Sequence, residues 1–100
     1  MMRLMSDAPE TASFRAFVHG RVQGVGFRYF TVQTGQQLGL DGMARNLPDG
    51  TVEVHASGDR PTAEAFAKAI AKGPMLARVT RLDIDWNADL PEYNGFDVSY

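Results

Sequence analysis

The stretch GRVQGVGFR, residues 20–28, places three glycines within seven positions and ends on an arginine. The residues before it, FRAFVHG (14–20), are β-branched and aromatic enough for a strand. After it, apolar and small residues recur at spacings of three and four, as on one face of a helix. These residues are Phe27, Phe30, Thr31, Thr34 and Leu38. The run therefore predicts a glycine-rich turn between a strand and a helix that ends at Gly39.

The middle of the chain reads as a hairpin. DGMARN (41–46) and TVEVHAS (51–57) are short extended runs joined by LPDG (47–50), in which Pro and Gly suit a tight turn. In the second run Thr51, Glu53 and His55 alternate with Val52, Val54 and Ala56. That period of two predicts a half-buried strand.

The last third predicts a helix and two more strands. The helix begins near Asp59, has Pro61 at an early position and ends at Gly73-Pro74. Its apolar stripe is Phe66, Ala67, Ile70 and Ala71. The strands are RVTRLDIDW (78–86) and GFDVSY (95–100).

The order β-α-β-β-α-β is that of ferredoxin-like folds. We therefore expect an α+β sandwich, with an antiparallel sheet of four to five strands and both helices on one face. Residues 1–12 are expected to be a flexible tail and residues 13–100 the folded domain.

Composition limits the classes of function. The 100 residues are enough for one domain, and a formal charge of −2 argues against a protein held to nucleic acid by charge. The chain has no cysteine, no segment typical of a signal peptide and no apolar run long enough for a membrane span. These features predict a cytoplasmic, single-domain protein.

Two known phosphate motifs do not fit the glycine run. The dinucleotide fingerprint would need glycine where Tyr29 stands, and no Gly-Lys-Ser or Gly-Lys-Thr completes a P-loop. Successive backbone N–H groups in such a turn can nevertheless hold an anion, and Arg28 could grip two phosphate oxygens. The alternative is a turn whose glycines only permit its dihedral angles, with Arg28 in solvent.

Residues 18–28, VHGRVQGVGFR, resemble the first signature of the acylphosphatase family, a strand followed by G-x-V-Q-G-V-x-F-R. Residues 42–58, GMARNLPDGTVEVHASG, resemble the second, in which an asparagine precedes a turn and a strand. GPMLARV (73–79) is also similar to family members, so the resemblance covers residues 13–100. Met43 departs from it, because an aromatic residue is usual at that position beside Asn46.

The resemblance implies a hydrolase that splits acyl phosphates into a carboxylate and inorganic phosphate without a metal or other cofactor. It implies that the 22–28 loop holds the phosphate through the guanidinium of Arg28 and the loop amides, and that Asn46 orients the attacking water. The implied phosphate-binding residues are Gln23, Gly24, Val25, Gly26, Phe27 and Arg28. If the strand that ends at Asn46 neighbours the first strand, Asn46 lies near the glycine turn. The alternative is that Asn46 only hydrogen-bonds its own turn.

The resemblance also implies partners. The substrate is a small-molecule acyl phosphate, and inorganic phosphate is both product and inhibitor. No nucleic acid or membrane partner is expected, and we expect a monomer.

The remaining candidate residues favour structural roles. His19 and His55 have no metal-ligand spacing, and Asp83 and Asp85 share one strand face that is predicted to be solvent-exposed. Trp86 and Phe96 are predicted to pack in the core or at an edge.

Three rival interpretations fit the same fold. An RNA-recognition module is disfavoured, because TVEVHAS carries no aromatic residue for stacking. The acylphosphatase-like domain of a hydrogenase maturation factor belongs to a much longer protein. A non-catalytic family member is disfavoured because Arg28 and Asn46 are both present.

Overall fold

A computed structural model describes residues 10–100. Within them the strands are β1 (Thr11–Arg21), β2 (Asp41–Asn46), β3 (Val52–Asp59), β4 (Arg78–Trp86) and β5 (Phe96–Ser99). The helices are α1 (Phe27–Gln37) and α2 (Arg60–Lys72). This order confirms the predicted β-α-β-β-α-β arrangement with an added fifth strand.

The sheet order is β4-β1-β3-β2-β5. The first four strands pair antiparallel, but β5 pairs parallel with β2. The expectation of a wholly antiparallel sheet was therefore wrong. The parallel pairing of β5 is caused by the segment 87–95. This segment leaves the end of β4, at one edge of the sheet, and crosses to the start of β2, next to the other edge. A strand that begins there has to run in the same direction as β2.

The main core lies between the sheet and the two helices. Phe66 of α2 is fully buried, with its ring centroid 6.1 Å from that of Phe14 on β1 and 5.4 Å from that of Phe96 on β5. Phe14 also meets Trp86 edge to face at 4.9 Å. Trp86 and Phe96 are thus packing residues, as predicted.

The buried face of each helix differs in part from the prediction. Leu38 follows the last residue of α1 and is 39% exposed, so Val32 and Gly35 complete the buried face instead. In α2 Ala71 is exposed and Ala63 is buried, because the helical repeat continues the face towards the first turn.

The helix-free face of β3 is buried, contrary to the half-buried strand that was predicted. Glu53 is 7% exposed and His55 is 5% exposed. The Glu53 carboxylate accepts hydrogen bonds from Arg45, and its other oxygen lies 2.8 Å from Nε2 of His55. Nδ1 of His55 lies 2.8 Å from the hydroxyl of Tyr93, which belongs to the crossing segment. Burial raises the pKa of Glu53, but the bonds from Arg45 and His55 outweigh it, so the pKa lies below its ordinary value.

The predicted tail, residues 1–12, lies mostly outside the described residues. Thr11 and Ala12 belong to β1, and Arg60 N donates to Glu10 O at 2.8 Å. In the part of the chain that the structure describes, no helix is long and apolar enough to cross a membrane.

Candidate active site

Three strands, β1, β2 and β5, finish at the same end of the sheet. β1 and β2 both pair antiparallel with β3, and β5 is parallel to β2, so these three strands point the same way. We expected the strand that carries Asn46 to neighbour β1, but β3 lies between them. Asn46 and Val18 are instead both paired with Val52. The glycine turn, Asn46 and the end of β5 are therefore brought to the same end of the sheet.

The glycine turn needs its glycines for their backbone angles. Gly24 has φ 74° and Gly26 has φ 80°, which is left-handed backbone, while a Cβ on either would meet no atom within 4 Å. Val22, 1% exposed, anchors the turn in the core. α1 starts directly after Gly26 with no side-chain cap, so the helix presents its first N–H groups beside the turn.

Arg28 is the second residue of α1. Its guanidinium carbon lies 5.1 Å from the centroid of the Tyr100 ring, within the range of a cation–π contact. Among residues 10–100, no carboxylate forms a salt bridge with it. A ring against the face of a guanidinium leaves the N–H groups on its edge free to donate to an anion.

Asn46 ends β2 with its side-chain oxygen unpaired. Oδ1 is buried and accepts no hydrogen bond within the described part of the chain. The turn that follows is held by Asp49, whose Oδ1 accepts from Thr51 N at 3.0 Å and from Thr51 Oγ1 at 2.6 Å. These bonds from Thr51 lower the pKa of Asp49. The Oδ1 atom of Asn46 is thus not the acceptor that stabilises its own turn.

Gln23 joins the glycine turn to the hairpin that carries Asn46. Its side-chain amide donates to Leu47 O and to Thr51 O, each at 2.8 Å. Gln23 and Val25 are not among the residues that line the cavity described next. That these two residues bind phosphate stays a prediction.

Arg28 and Asn46 line one cavity of about 460 Å³. Gly24, Gly26 and Phe27 also line it, so five of the predicted site residues share this wall. The other lining residues were not predicted as site residues: Val22, Tyr29, Val98 and Tyr100. Tyr29 comes directly after Arg28 in the helix, and this position could have identified it as a residue near the site. Val98 and Tyr100 gave no signal, because their place depends on the parallel docking of β5.

The other candidate residues lie away from the cavity. Nε2 of His19 is 2.9 Å from Asp83 Oδ2 and 3.2 Å from Arg81, on the helix-free face. Asp83 and Asp85 are exposed, as predicted. Residues 10–100 contain no group of three His, Cys, Asp or Glu side chains that could hold a metal ion.

The structure is a ferredoxin-like α+β sandwich in which the glycine turn, Arg28 and Asn46 line one cavity. The sequence model of the acylphosphatase family matches residues 14–98. The chain belongs to the acylphosphatase family, which confirms the predicted family and its place among the hydrolases.

Individual relatives agree with that assignment. An acylphosphatase of Archaeoglobus fulgidus is 43% identical over 84% of this chain and 93% of its own length. One of Thermococcus kodakarensis is 49% identical over 81% of this chain and 88% of its own length. The crystal structure of acylphosphatase from Bacillus subtilis has a TM-score of 0.84 at 34% identity, covering 89% of this chain and 99% of that one.

A longer protein also contains this fold. Full-length HypF, in its phosphate- and nucleotide-bound crystal form, matches with a TM-score of 0.84 at 25% identity. The match covers 96% of this chain but 13% of the HypF chain.

Proposed function

We propose that the chain hydrolyses acyl phosphates without a metal ion, with the 22–28 loop and Arg28 holding the phosphate and Asn46 orienting the attacking water. The observation that carries this proposal is that Arg28 and Asn46 line one cavity beside the glycine turn. The guanidinium of Arg28 suits an anion, and the side-chain amide of Asn46 suits water.

Phosphate binding uses three sources of positive potential in this proposal. The N–H groups of residues 23–28 surround the anion, the amino end of α1 points its dipole at it, and the guanidinium of Arg28 donates two bonds. The Tyr100 ring contacts this guanidinium. The charge on the phosphoryl oxygens is thereby stabilised by groups that are already in place.

Asn46 acts on the water in this proposal. Its side-chain amide hydrogen-bonds a water molecule, and this aims the water oxygen at phosphorus. An asparagine amide cannot remove a proton at neutral pH, so a non-bridging phosphoryl oxygen accepts it.

The P–O bond to the acyl group then breaks as the new bond from water forms. An acyl phosphate dianion and water give a carboxylate and dihydrogen phosphate, with atoms and charge balanced. The carboxylate is a stable anion, so its departure requires no acid catalyst.

Arg28→Lys and Asn46→Ala test the two roles against each other. Arg28→Lys keeps the charge but loses the planar fork, so phosphate inhibition and kcat should both weaken severely. Asn46→Ala should lower kcat by on the order of 10²–10³, with little change in the inhibition constant of inorganic phosphate. The assay is phosphate release from benzoyl phosphate, with exposed Asn94→Ala as the matched control and thermal unfolding measured alongside.

The outcomes separate the possibilities. If Asn46→Ala loses activity only in proportion to lost folded protein, the residue is structural. If it abolishes phosphate inhibition while Arg28→Lys spares it, the roles are reversed. Wild-type protein that releases no phosphate from any acyl phosphate would refute the proposed function.

The binding site for inorganic phosphate can be mapped directly. In an amide NMR titration, shifts should concentrate on residues 23–28. Shifts that concentrate on the strand 78–86 would contradict the site.

The proposal extends to the setting of the reaction. We propose a monomer acting in the cytoplasm, and the absence of cysteine from the sequence fits a reducing compartment. Analytical ultracentrifugation at assay concentration should give the mass of one chain, and a dimer would contradict this part.

A further inference from the structure

The exposed aromatic rings of this protein are concentrated at one place. Of the ten aromatic residues, Tyr29 is 67% exposed and Tyr100 is 92% exposed, whereas each of the other eight is buried or half-buried. Both exposed rings line the cavity that holds Arg28 and Asn46. Scattered exposed rings would need no explanation, but two that flank the same cavity form a surface a ligand can use.

The rest of that wall is largely apolar and carries one charged side chain. Val22, Phe27 and Val98 line the cavity, and Arg28 is the one charged residue among those lining it within residues 10–100. Arg28 is assigned to the phosphate. A second anionic group on the acyl part of a substrate would therefore meet no cation on this wall.

Both tyrosines neighbour Arg28. Tyr29 follows it in the first turn of α1, and the guanidinium carbon of Arg28 lies 5.1 Å from the centroid of the Tyr100 ring. With a phosphoryl group on Arg28, the acyl group extends along the cavity wall to which both rings contribute. Aromatic rings pair well with other flat apolar rings, and their negative faces disfavour anions.

We propose that Tyr29 and Tyr100 form an acyl-group subsite that selects acyl phosphates with a flat, apolar acyl group. This inference rests on the proposed function, because it assigns the part of the substrate that is not phosphate. Acyl phosphates with a second carboxylate are the poorest substrates of such a site.

Tyr29→Ala tests the subsite more cleanly than a change at Tyr100, whose ring also contacts Arg28. The substrates are benzoyl, acetyl and succinyl phosphate, and the quantity compared is the ratio of kcat/KM between substrates. Differences in intrinsic reactivity cancel when this ratio is compared between variant and wild type. Tyr29→Phe keeps the ring, and Gln37→Ala changes an exposed residue at the far end of α1.

Tyr29→Ala should lower the benzoyl-to-acetyl ratio by roughly three- to tenfold, the contribution of one aromatic contact. Tyr29→Phe and Gln37→Ala should keep the wild-type ratio, and in Tyr29→Ala the succinyl-to-benzoyl ratio should rise above its wild-type value. Unchanged ratios in Tyr29→Ala overturn the subsite while hydrolysis itself persists. Absence of hydrolysis with all three substrates counts against the proposed function instead.

Discussion

The side-chain amide of Gln23 offers a direct test of how the proposed phosphate loop and Asn46 are held in position relative to each other. Gln23→Met keeps the length of the side chain but removes both hydrogen bonds, to Leu47 O and to Thr51 O. Because these carbonyls bracket the turn after Asn46, we expect the mutant to lose both stability and turnover.

The size of the stability loss depends on the hydrogen bonds that each carbonyl oxygen keeps in the mutant. Leu47 O still accepts from Gly50 N at 3.1 Å, and Thr51 O still accepts from Leu47 N at 2.9 Å. Neither acceptor is left unpaired, so the loss is that of two neutral bonds, about 1–2 kcal/mol in the free energy of unfolding. For a domain of this size that lowers Tm by about 5–10 °C.

The loss of turnover should be larger than the stability loss explains. A displacement of about 1 Å between reacting groups can cost on the order of 10²-fold in rate, so kcat should fall by roughly ten- to a hundredfold. The assay is phosphate release from benzoyl phosphate, well below the Tm of the mutant, so that the protein is fully folded.

Gln36→Met is the matched control. The Gln36 amide also donates to a backbone carbonyl, Phe96 O at 2.9 Å, but from the last turn of α1, away from the cavity. It should lower Tm and leave kcat unchanged. If Gln23→Met lowers Tm yet keeps the wild-type kcat, the bridge is structural only, and if neither quantity changes, the bridge does not form in solution.

Three further predictions concern acid, metal and RNA. The pKa of Glu53 is lower in the folded than in the unfolded chain, so its contribution is present above its ordinary value of 4.5 and is lost as pH falls through the folded pKa. Glu53→Gln should lose roughly 1.5–3 kcal/mol at pH 7 and show a smaller loss than wild type between pH 5 and pH 3 in urea unfolding, whereas equal acid sensitivity would refute it. Hydrolysis of benzoyl phosphate should survive EDTA, because the leaving carboxylate is stable and Arg28 neutralises the phosphate; loss of activity that Mg²⁺ or Zn²⁺ restores would contradict this. Single-stranded RNA should bind no more tightly than about 10⁻⁴ M at physiological salt by fluorescence anisotropy, and micromolar, sequence-dependent binding would favour the RNA-recognition alternative.

The elements that were predicted correctly depend on local signals. Pro61 lies in the first turn of α2, and Gly73 follows its last residue. The predicted strand 78–86 has the same bounds as β4. Arg28 and Asn46 were found because each lies in a continuous motif beside a turn. The structure brings them to one cavity through the shared direction of β1 and β2.

The features that were missed depend on distant parts of the chain. The burial of Glu53 and His55 depends on Arg45 and on Tyr93, which arrives in the segment after β4. The sequence of residues 51–57 alone does not indicate that Arg45 and Tyr93 pack over this strand. The direction of β5 likewise depends on where the crossing segment 87–95 delivers it, and the place of Tyr100 follows from that direction.

The parallel docking of β5 also bears on the order of events in folding. β5 reaches β2 only after residues 87–95 have crossed the sheet, a path fastened by contacts as distant in sequence as Ser13 Oγ with Ala88 O, 75 residues apart. Contacts that close such long loops form late, because the entropy of closure precedes any gain from pairing. The β1–β4 pairs are even more distant in sequence than the β2–β5 pairs, so we expect both sets to form late and Val98 and Tyr100 to join the cavity wall with them. During refolding, turnover of benzoyl phosphate should therefore recover after the helical circular-dichroism signal, and the delay measures the time that these long-range strand pairs take to form.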